Sequence, residues 1–218
     1  DETIENLAGA DPESRDEILG ALAHWDDIDT HFKGRLIRSG GHGFAGIERK
    51  KLLNILQAHC EARGVKLVFE HEVEGLEPYE DCDLIIACDG LNSRIRTQLA
   101  DHFKPQIDVR KNKFVWLGTK KLFDAFTFIF AETEWGWFQA HAYRFNEDTS
   151  TFIVETPESV WKAAGIDKMS QQEGIKFCQD LFADYLDGHD LISNASHLRG
   201  SAIWINFPRV YNEHWVKD

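Results

Sequence analysis

Apolar positions change their spacing twice along this chain, and the changes divide it into three stretches. In the first, Asp11-Pro12-Glu13 opens a helix, with Asp as the cap and Pro in the first turn. Ile18, Leu19, Leu22 and Ala23 form its apolar stripe. Thr30 to Arg38 reads as one strand with polar residues on one face. Leu52, Leu53, Leu56 and Cys60 predict a second helix, which Gly64 ends as a left-handed cap. Val65 to Val73 predicts another strand. Asp83 to Cys88 is a short apolar run without Pro or Gly, the pattern of a strand buried on both faces of a parallel sheet. Asp89-Gly90 turns the chain abruptly, and Asn92 or Ser93 caps a helix that runs to about Leu99.

Beyond Leu99 the period becomes two. Lys113–Thr119, Ala125–Glu132, Trp137–Phe145 and Thr151–Glu155 are four strand candidates rich in Phe, Trp, Tyr and Thr. Short turns at Glu134-Trp135-Gly136 and Asn146-Glu147-Asp148 make them neighbours in an antiparallel sheet. Phe126, Phe128 and Phe130 share one face. Trp137, Gln139, His141 and Tyr143 share a face of the next strand. Helical spacing then returns. Thr156-Pro157-Glu158 starts a short helix carrying Val160, Trp161 and Ala164. Ser170 to Glu173 is a capping box before Ile175, Cys178, Phe182 and Tyr185. Ser201 to Phe207 is a last strand candidate.

Composition narrows the chemistry. The 218 residues carry a net charge of −13 with His neutral, and no long basic run. Nucleic acid and anionic membrane surfaces are therefore poor partners. No apolar run approaches the length of a membrane span, so no membrane partner and a cytoplasmic location are expected. Cys60, Cys82, Cys88 and Cys178 lack metal-ligand spacing, and the ten histidines form no zinc motif. No metal site is expected. Aromatic residues make up 12% of the chain, enough to line a pocket for a flat ligand as well as a core.

Two stretches could hold an anion. Arg94 and Arg96 lie in the first turn of the helix after Asp89-Gly90, where cations oppose the helix dipole unless an anion is near. Gly41-His42-Gly43-Phe44-Ala45-Gly46 spells Gly-x-Gly-x-x-Gly between a possible strand and a helix, with Glu70 beyond it. Read as a dinucleotide fingerprint it implies an NAD-binding dehydrogenase. Against that reading, the preceding strand carries Lys33, Arg35 and Arg38, and the helix opens Glu48-Arg49-Lys50-Lys51 where small residues pack best.

The stretch Cys82 to Arg96 resembles the second fingerprint of the FAD-dependent aromatic-ring hydroxylases, the p-hydroxybenzoate hydroxylase-like flavoprotein monooxygenases. Asp83, Asp89, Gly90, Ser93 and Arg96 match its pattern of acidic residue, apolar strand, Asp-Gly, Ser and closing Arg. By that resemblance Asp89 and Gly90 lie beside the flavin ribityl and diphosphate, near the path of NAD(P)H. Arg49, with Leu52 three residues on, resembles the family's Arg at the FAD diphosphate. Ser39 to Phe44, Phe114 to Thr119, Phe123 to Phe128, Thr151 to Glu155 and Asn206 to Pro208 resemble one branch. That branch comprises the salicylyl-CoA 5-hydroxylases and 2-aminobenzoyl-CoA monooxygenases.

The resemblance implies a mixed α/β fold. Residues 41–104 would be part of a parallel-sheet FAD-binding domain, with 1–40 and 105–218 a substrate region built on the antiparallel sheet. It implies FAD and NAD(P)H as cofactors and a small aromatic substrate, including CoA thioesters. Arg49, Asp89, Gly90, Ser93 and Arg96 are the expected cofactor residues, and His42, Gln139 and His141 the expected pocket polars. No catalytic acid or base is named. The family's N-terminal Gly-x-Gly-x-x-Gly strand and its later Gly-Asp motif have no counterpart in these residues, so an internal piece of a longer enzyme is expected, one that folds yet binds no flavin and is inactive by itself. The alternatives are the dehydrogenase built on Gly41 to Gly46 and a non-catalytic interaction domain, whose mark would be an exposed apolar edge.

Overall fold

The computed structural model describes residues 2–193 and 203–217, and contacts gather them into two compact units. The first comprises residues 1–67 and 112–205, the second residues 68–111 and 206–218.

The first unit begins with α1 (Glu2–Ala10), which the apolar pattern did not announce, and α2 (Pro12–Ala21). Asp11 caps α2 by accepting the Ser14 N–H at 3.2 Å. Strands β1 (Ala23–Trp25), β2 (Ile28–Phe32), β3 (Arg35–Ser39) and β4 (Phe44–Gly46) precede α3 (Arg49–Ala62). The single strand expected over Thr30 to Arg38 is instead the β2–β3 hairpin. Lys33 (φ 49°) and Gly34 (φ 72°) turn it tightly, a left-handed pair that matches strand twist. Asp29 and Arg38 face each other across the hairpin and bond twice at 2.6 Å. On α3 the buried residue is Ile55, while Leu53 and Leu56 are exposed. The apolar stripe was therefore read one position off its true axis. Gly64 (φ 76°) does end the helix, and the Val65 N–H donates to the Cys60 carbonyl at 3.0 Å.

The predicted antiparallel strands all form. β5 (Pro105–Thr119), β6 (Phe126–Thr133), β7 (Gly136–Arg144) and β8 (Ser150–Thr156) assemble in the order β5-β8-β7-β6. β2 then adds to β6 in parallel and β3 to β2. The short strand β9 (Leu191–Ser193) pairs with β5. One sheet face carries Leu117, Phe138, Ala140, Ala142, Phe152 and Val154, all fully buried. α6 (Glu158–Ala163) and α7 (Gln171–Leu181) supply Val160, Cys178 and, just past α7, Phe182 to the same core cluster. The capping box at Ser170 and Glu173 is present, with both hydrogen bonds made. Small Ala140 and Ala142 opposite bulky Phe152 and Phe182 let the helices pack close to the sheet.

In the second unit, a single helical turn at Glu77–Tyr79 precedes α4 (Arg94–Gln98) and α5 (Ala100–Phe103). β5 runs through both units, and in its residues 105–111, which belong to this one, the Arg110 carbonyl accepts from the Asn206 amide of the paired strand β10 (Ile205–Asn212) at 2.9 Å. Of the last strand expected over Ser201 to Phe207, Ser201 and Ala202 lie outside the described residues. The mixed α/β class holds, but the strands expected at 65–73 and 83–88 join no ladder among the described residues. Leu84 and Ile86 are 75% exposed. A strand apolar on both faces needs a neighbour at each edge and a layer on each face, and the described residues supply neither.

Candidate functional site

The second face of the central sheet is covered by rings rather than helices. Register places Phe128 and Phe130 of β6 directly opposite His141 and Gln139 of β7, and the Phe126 ring lies on Tyr143, so one side is aromatic along its length. The centroids of Phe126 and Tyr143 are 5.2 Å apart, nearly parallel, and His141 stacks on Phe126 at 5.9 Å with rings 16° apart. Trp25 stacks on Tyr143 at 5.7 Å, and Phe44 lies 5.6 Å from Phe126. Further along, Phe32 stacks on Trp137 at 5.6 Å. Offset stacking at these separations is favourable, and the face offers flat apolar area to a flat ligand.

Polar groups are few on this face and placed centrally. Gln139 sits across from Phe130 on one side and Glu155 of β8 on the other. Glu155 accepts a hydrogen bond from the Asn112 amide at 2.8 Å. Burial pushes the His141 imidazole below its ordinary pKa, with the Glu155 charge opposing that shift. His141 is therefore neutral at pH 7, with one nitrogen able to donate and the other to accept. His42 reaches the rim: its ring lies 5.8 Å from Phe44 and shares a 2.7 Å hydrogen bond with the Ser39 hydroxyl. His42, Gln139 and His141, expected as pocket polars, thus all lie on or beside the ring-covered face.

Gly41 to Gly46 does not form a strand-to-helix phosphate loop. It links antiparallel β3 to β4, and β4 pairs with β1 in a two-stranded ribbon. Gly41 (φ 80°) and Gly43 (φ 63°) turn that loop, with the Gly43 N–H held by the Asp26 carboxylate at 3.1 Å. Gly46 is small for packing: a Cβ there would lie 3.1 Å from the Trp25 ring. The dehydrogenase reading fails on this topology. Arg49 stands at the first position of α3 and is exposed, with no acidic residue in that turn. The helix N-terminus and the guanidinium together suit an anion.

In the second unit, Asp89, Gly90, Ser93 and Arg96 are brought together and build one turn. The Ser93 hydroxyl accepts the Arg96 N–H at 2.9 Å, and the Asp89 carboxylate accepts the Ile95 N–H at 3.4 Å. Desolvation raises the pKa of Asp89, but hydrogen bonds from Ser93 and from backbone N–H groups outweigh it and hold the carboxyl below its usual range. The Arg96 guanidinium folds back onto the carbonyls of Gly90, at 3.1 Å, and Leu91. Arg94 pairs with Glu72 at 2.6 Å. Cations at this helix start are compensated from within the chain. Gly90 (φ 78°) has open space where a side chain would stand, so a ligand can approach its backbone.

Sequence reasoning did not find Trp25, Phe44 or Glu155 as parts of the ring-covered face. Trp25 and Phe44 arrive through the β1–β4 ribbon, which three-residue strands do not signal by periodicity. Glu155 could have been found, because it shares the period-two face of Thr151 and Ile153.

Comparison with known proteins agrees with this architecture. No family model matches the chain. It is 38% identical over 223 residues to a salicyloyl-CoA 5-hydroxylase of Streptomyces sp, covering 99% of this chain and 42% of that protein. It is 29% identical to a 3-hydroxy-4-methyl-anthranilyl-[aryl-carrier protein] 5-monooxygenase of Streptosporangium sibiricum, covering 97% and 54%. Among solved structures, a 2-methyl-3-hydroxypyridine-5-carboxylic acid oxygenase variant aligns with a TM-score of 0.73 at 16% identity, over 97% of this chain and 59% of that one. PqsL of Pseudomonas aeruginosa, a probable FAD-dependent monooxygenase, aligns at 0.57 and 13% identity, over 87% and 60%. The chain thus spans about half the length of the curated relatives it matches. Fold and sequence together define the class as FAD-dependent aromatic-ring hydroxylases, and the chain belongs to that family. Within it, the sequence stands with the branch that contains salicyloyl-CoA 5-hydroxylase.

Proposed function

We infer that this chain provides the substrate-facing sheet and part of the cofactor cradle of an FAD-dependent, NAD(P)H-using monooxygenase. Its substrate is an aromatic ring carried as a thioester, and it works in the cytoplasm without nucleic-acid or membrane partners. The observation that carries this reading is the ring-covered sheet face, with neutral His141 and Gln139 at its centre. Arg49 and the turn from Asp89 to Arg96 take the cofactor role, and the ring-covered sheet face, His42 and Phe44 included, takes the substrate role.

Two segments, one in each unit and each taken by itself, suit a part of FAD. Exposed Arg49 at an uncapped helix start suits a diphosphate. The Asp89-Gly90 turn, held rigid by Ser93 and Arg96, offers open backbone at Gly90 to a ribityl chain. Bound FAD would supply the activation of dioxygen that no side chain can perform. The chain's own part is to hold the ring flat on Phe126 and Tyr143 and keep water from that face. His141 and Gln139 hydrogen-bond a ring substituent.

The test is flavin retention by the full-length enzyme through gel filtration, followed by NAD(P)H consumption with and without a salicylate-type acyl-CoA. Expected are a flavin spectrum, substrate-dependent oxidation and a product heavier by one oxygen atom. Retention of nicotinamide with no flavin would sink the reading.

A further inference from the structure

At the end of β7 the first unit encloses a cleft of about 620 Å³, within the range of small-molecule sites. Its walls are Gly20 to Ala23, Glu48 and Lys51 at the start of α3, and the loop from Arg144 to Asp148. Lys51 and Arg144 have no carboxylate within ion-pair distance among the described residues. The Arg144 Nε is buried and makes no hydrogen bond. A buried cationic N–H without an acceptor is costly and marks a place where an acceptor belongs. Of the three wall carboxylates, Asp148 is already held by Lys120 at 2.7 Å and by the Thr149 hydroxyl at 2.7 Å. Glu48 and Glu147 remain to accept N–H groups.

The cleft adjoins the ring-covered face. Tyr143 and Arg144 are consecutive on β7, and Ala23 and Trp25 belong to the three-residue β1. A Cβ on Gly46 would touch both the Trp25 ring and, at 3.4 Å, the Arg144 carbonyl. A ligand whose flat end lies on Tyr143 and Trp25 therefore has a polar channel at hand for its tail.

We propose that this cleft seats the phosphopantetheine arm of the thioester substrate, with Lys51 and Arg144 on its phosphate and Glu48 and Glu147 on its amide N–H groups. The assignment rests on the monooxygenase reading above. It fits the mixed lining, because that arm is a run of neutral amides ending in a phosphate. CoA and acyl-carrier proteins both present acyl groups on this arm, and the two relatives described above are named for one of each.

Equilibrium binding to the full chain tests it, with 4′-phosphopantetheine, CoA and salicylate as separate probes. Lys51→Glu and Arg144→Gln are each expected to weaken 4′-phosphopantetheine about tenfold, the value of one charge-assisted contact, and to leave salicylate unchanged. Lys51 is an exposed helix residue, so its variant stays readable if Arg144→Gln folds poorly. Phosphopantetheine binding unmoved by Lys51→Glu, with salicylate still bound, overturns the cleft and leaves the monooxygenase reading standing. Loss of salicylate binding by the unaltered chain overturns that reading and the cleft with it. CoA tighter than 4′-phosphopantetheine supports a free CoA thioester as the source. Equal affinity supports an arm held by a carrier protein.

Discussion

Phe126→Ala and Phe152→Ala remove the same ring from opposite faces of one sheet, and the structure assigns them opposite consequences. Phe152 is fully buried and packs against Phe123 and Phe182, at 6.2 and 5.5 Å between centroids. Truncating it leaves a cavity that the tight sheet-helix layer cannot close, at a cost of about 3–5 kcal/mol. Phe126 is half-buried on the open face, with Phe128 at 5.0 Å and Tyr143 at 5.2 Å. Its truncation forfeits these two ring contacts, at about 0.5–1.5 kcal/mol each, but opens no sealed cavity, so about 1–3 kcal/mol is expected. In a chain of this size that is a melting-point difference between the two variants of roughly 5–10 °C. Ligand binding should invert the order: Phe126→Ala weakens salicylate binding two- to tenfold, while folded Phe152→Ala binds it normally. Thermal melts followed by circular dichroism, with salicylate titrations on the folded protein, read both effects. Equal destabilisation by the two variants, with binding unchanged in Phe126→Ala, would refute the assignment of the ring-covered face to a ligand.

His141 has a depressed folded pKa, so the unfolded chain takes up a proton that the native chain resists as pH falls through about 6.5. Stability from this residue is therefore complete above that pH and lost below it, and denaturant midpoints at pH 7.5 and 5.5 should converge in His141→Gln. Ser93→Ala removes the cap of α4 and should cost about 1 kcal/mol. Faster hydrogen exchange confined to residues 89–98 checks it, and unchanged exchange there would contradict the cap. Gly46→Val drives a branched side chain into the Trp25 ring, and a shifted Trp emission together with weaker salicylate binding is expected. An unaltered spectrum would show that the ribbon yields without moving the ring.

Legibility followed the range of the forces involved. The β6–β7–β8 meander was readable because period two, hairpin turns and aromatic side chains all act between neighbours in sequence. The capping box at Ser170 and the left-handed end at Gly64 were readable for the same reason. His141 and Gln139 were placed on the right face by alternation alone. The β2–β3 hairpin was missed because Lys, not Asn, occupies the first left-handed position of its turn. The Gly-x-Gly-x-x-Gly string misled because glycines serving a loop and a packed Trp spell the same letters as a phosphate cradle. Residues 83–88 carry a strong strand pattern, yet pattern states what a segment needs around it, not whether those neighbours exist. The ring-covered face drew Trp25 and Phe44 from more than eighty residues away, beyond any local signal.

That exposed run from Asp83 to Cys88 has a practical consequence for anyone who handles the chain. Six residues, largely apolar and free of Pro and Gly, are the length and composition from which cross-β stacks begin. Asp83 and Asp89 at its borders act as charged gatekeepers. Cys82 and Cys88, one at each end, are exposed free thiols. Air oxidation would staple neighbouring chains together at the point where their strands would first align. Protein kept reduced should stay dispersed. Protein held in air at neutral or alkaline pH without reductant should yield covalent dimers first and fibrous precipitate after them.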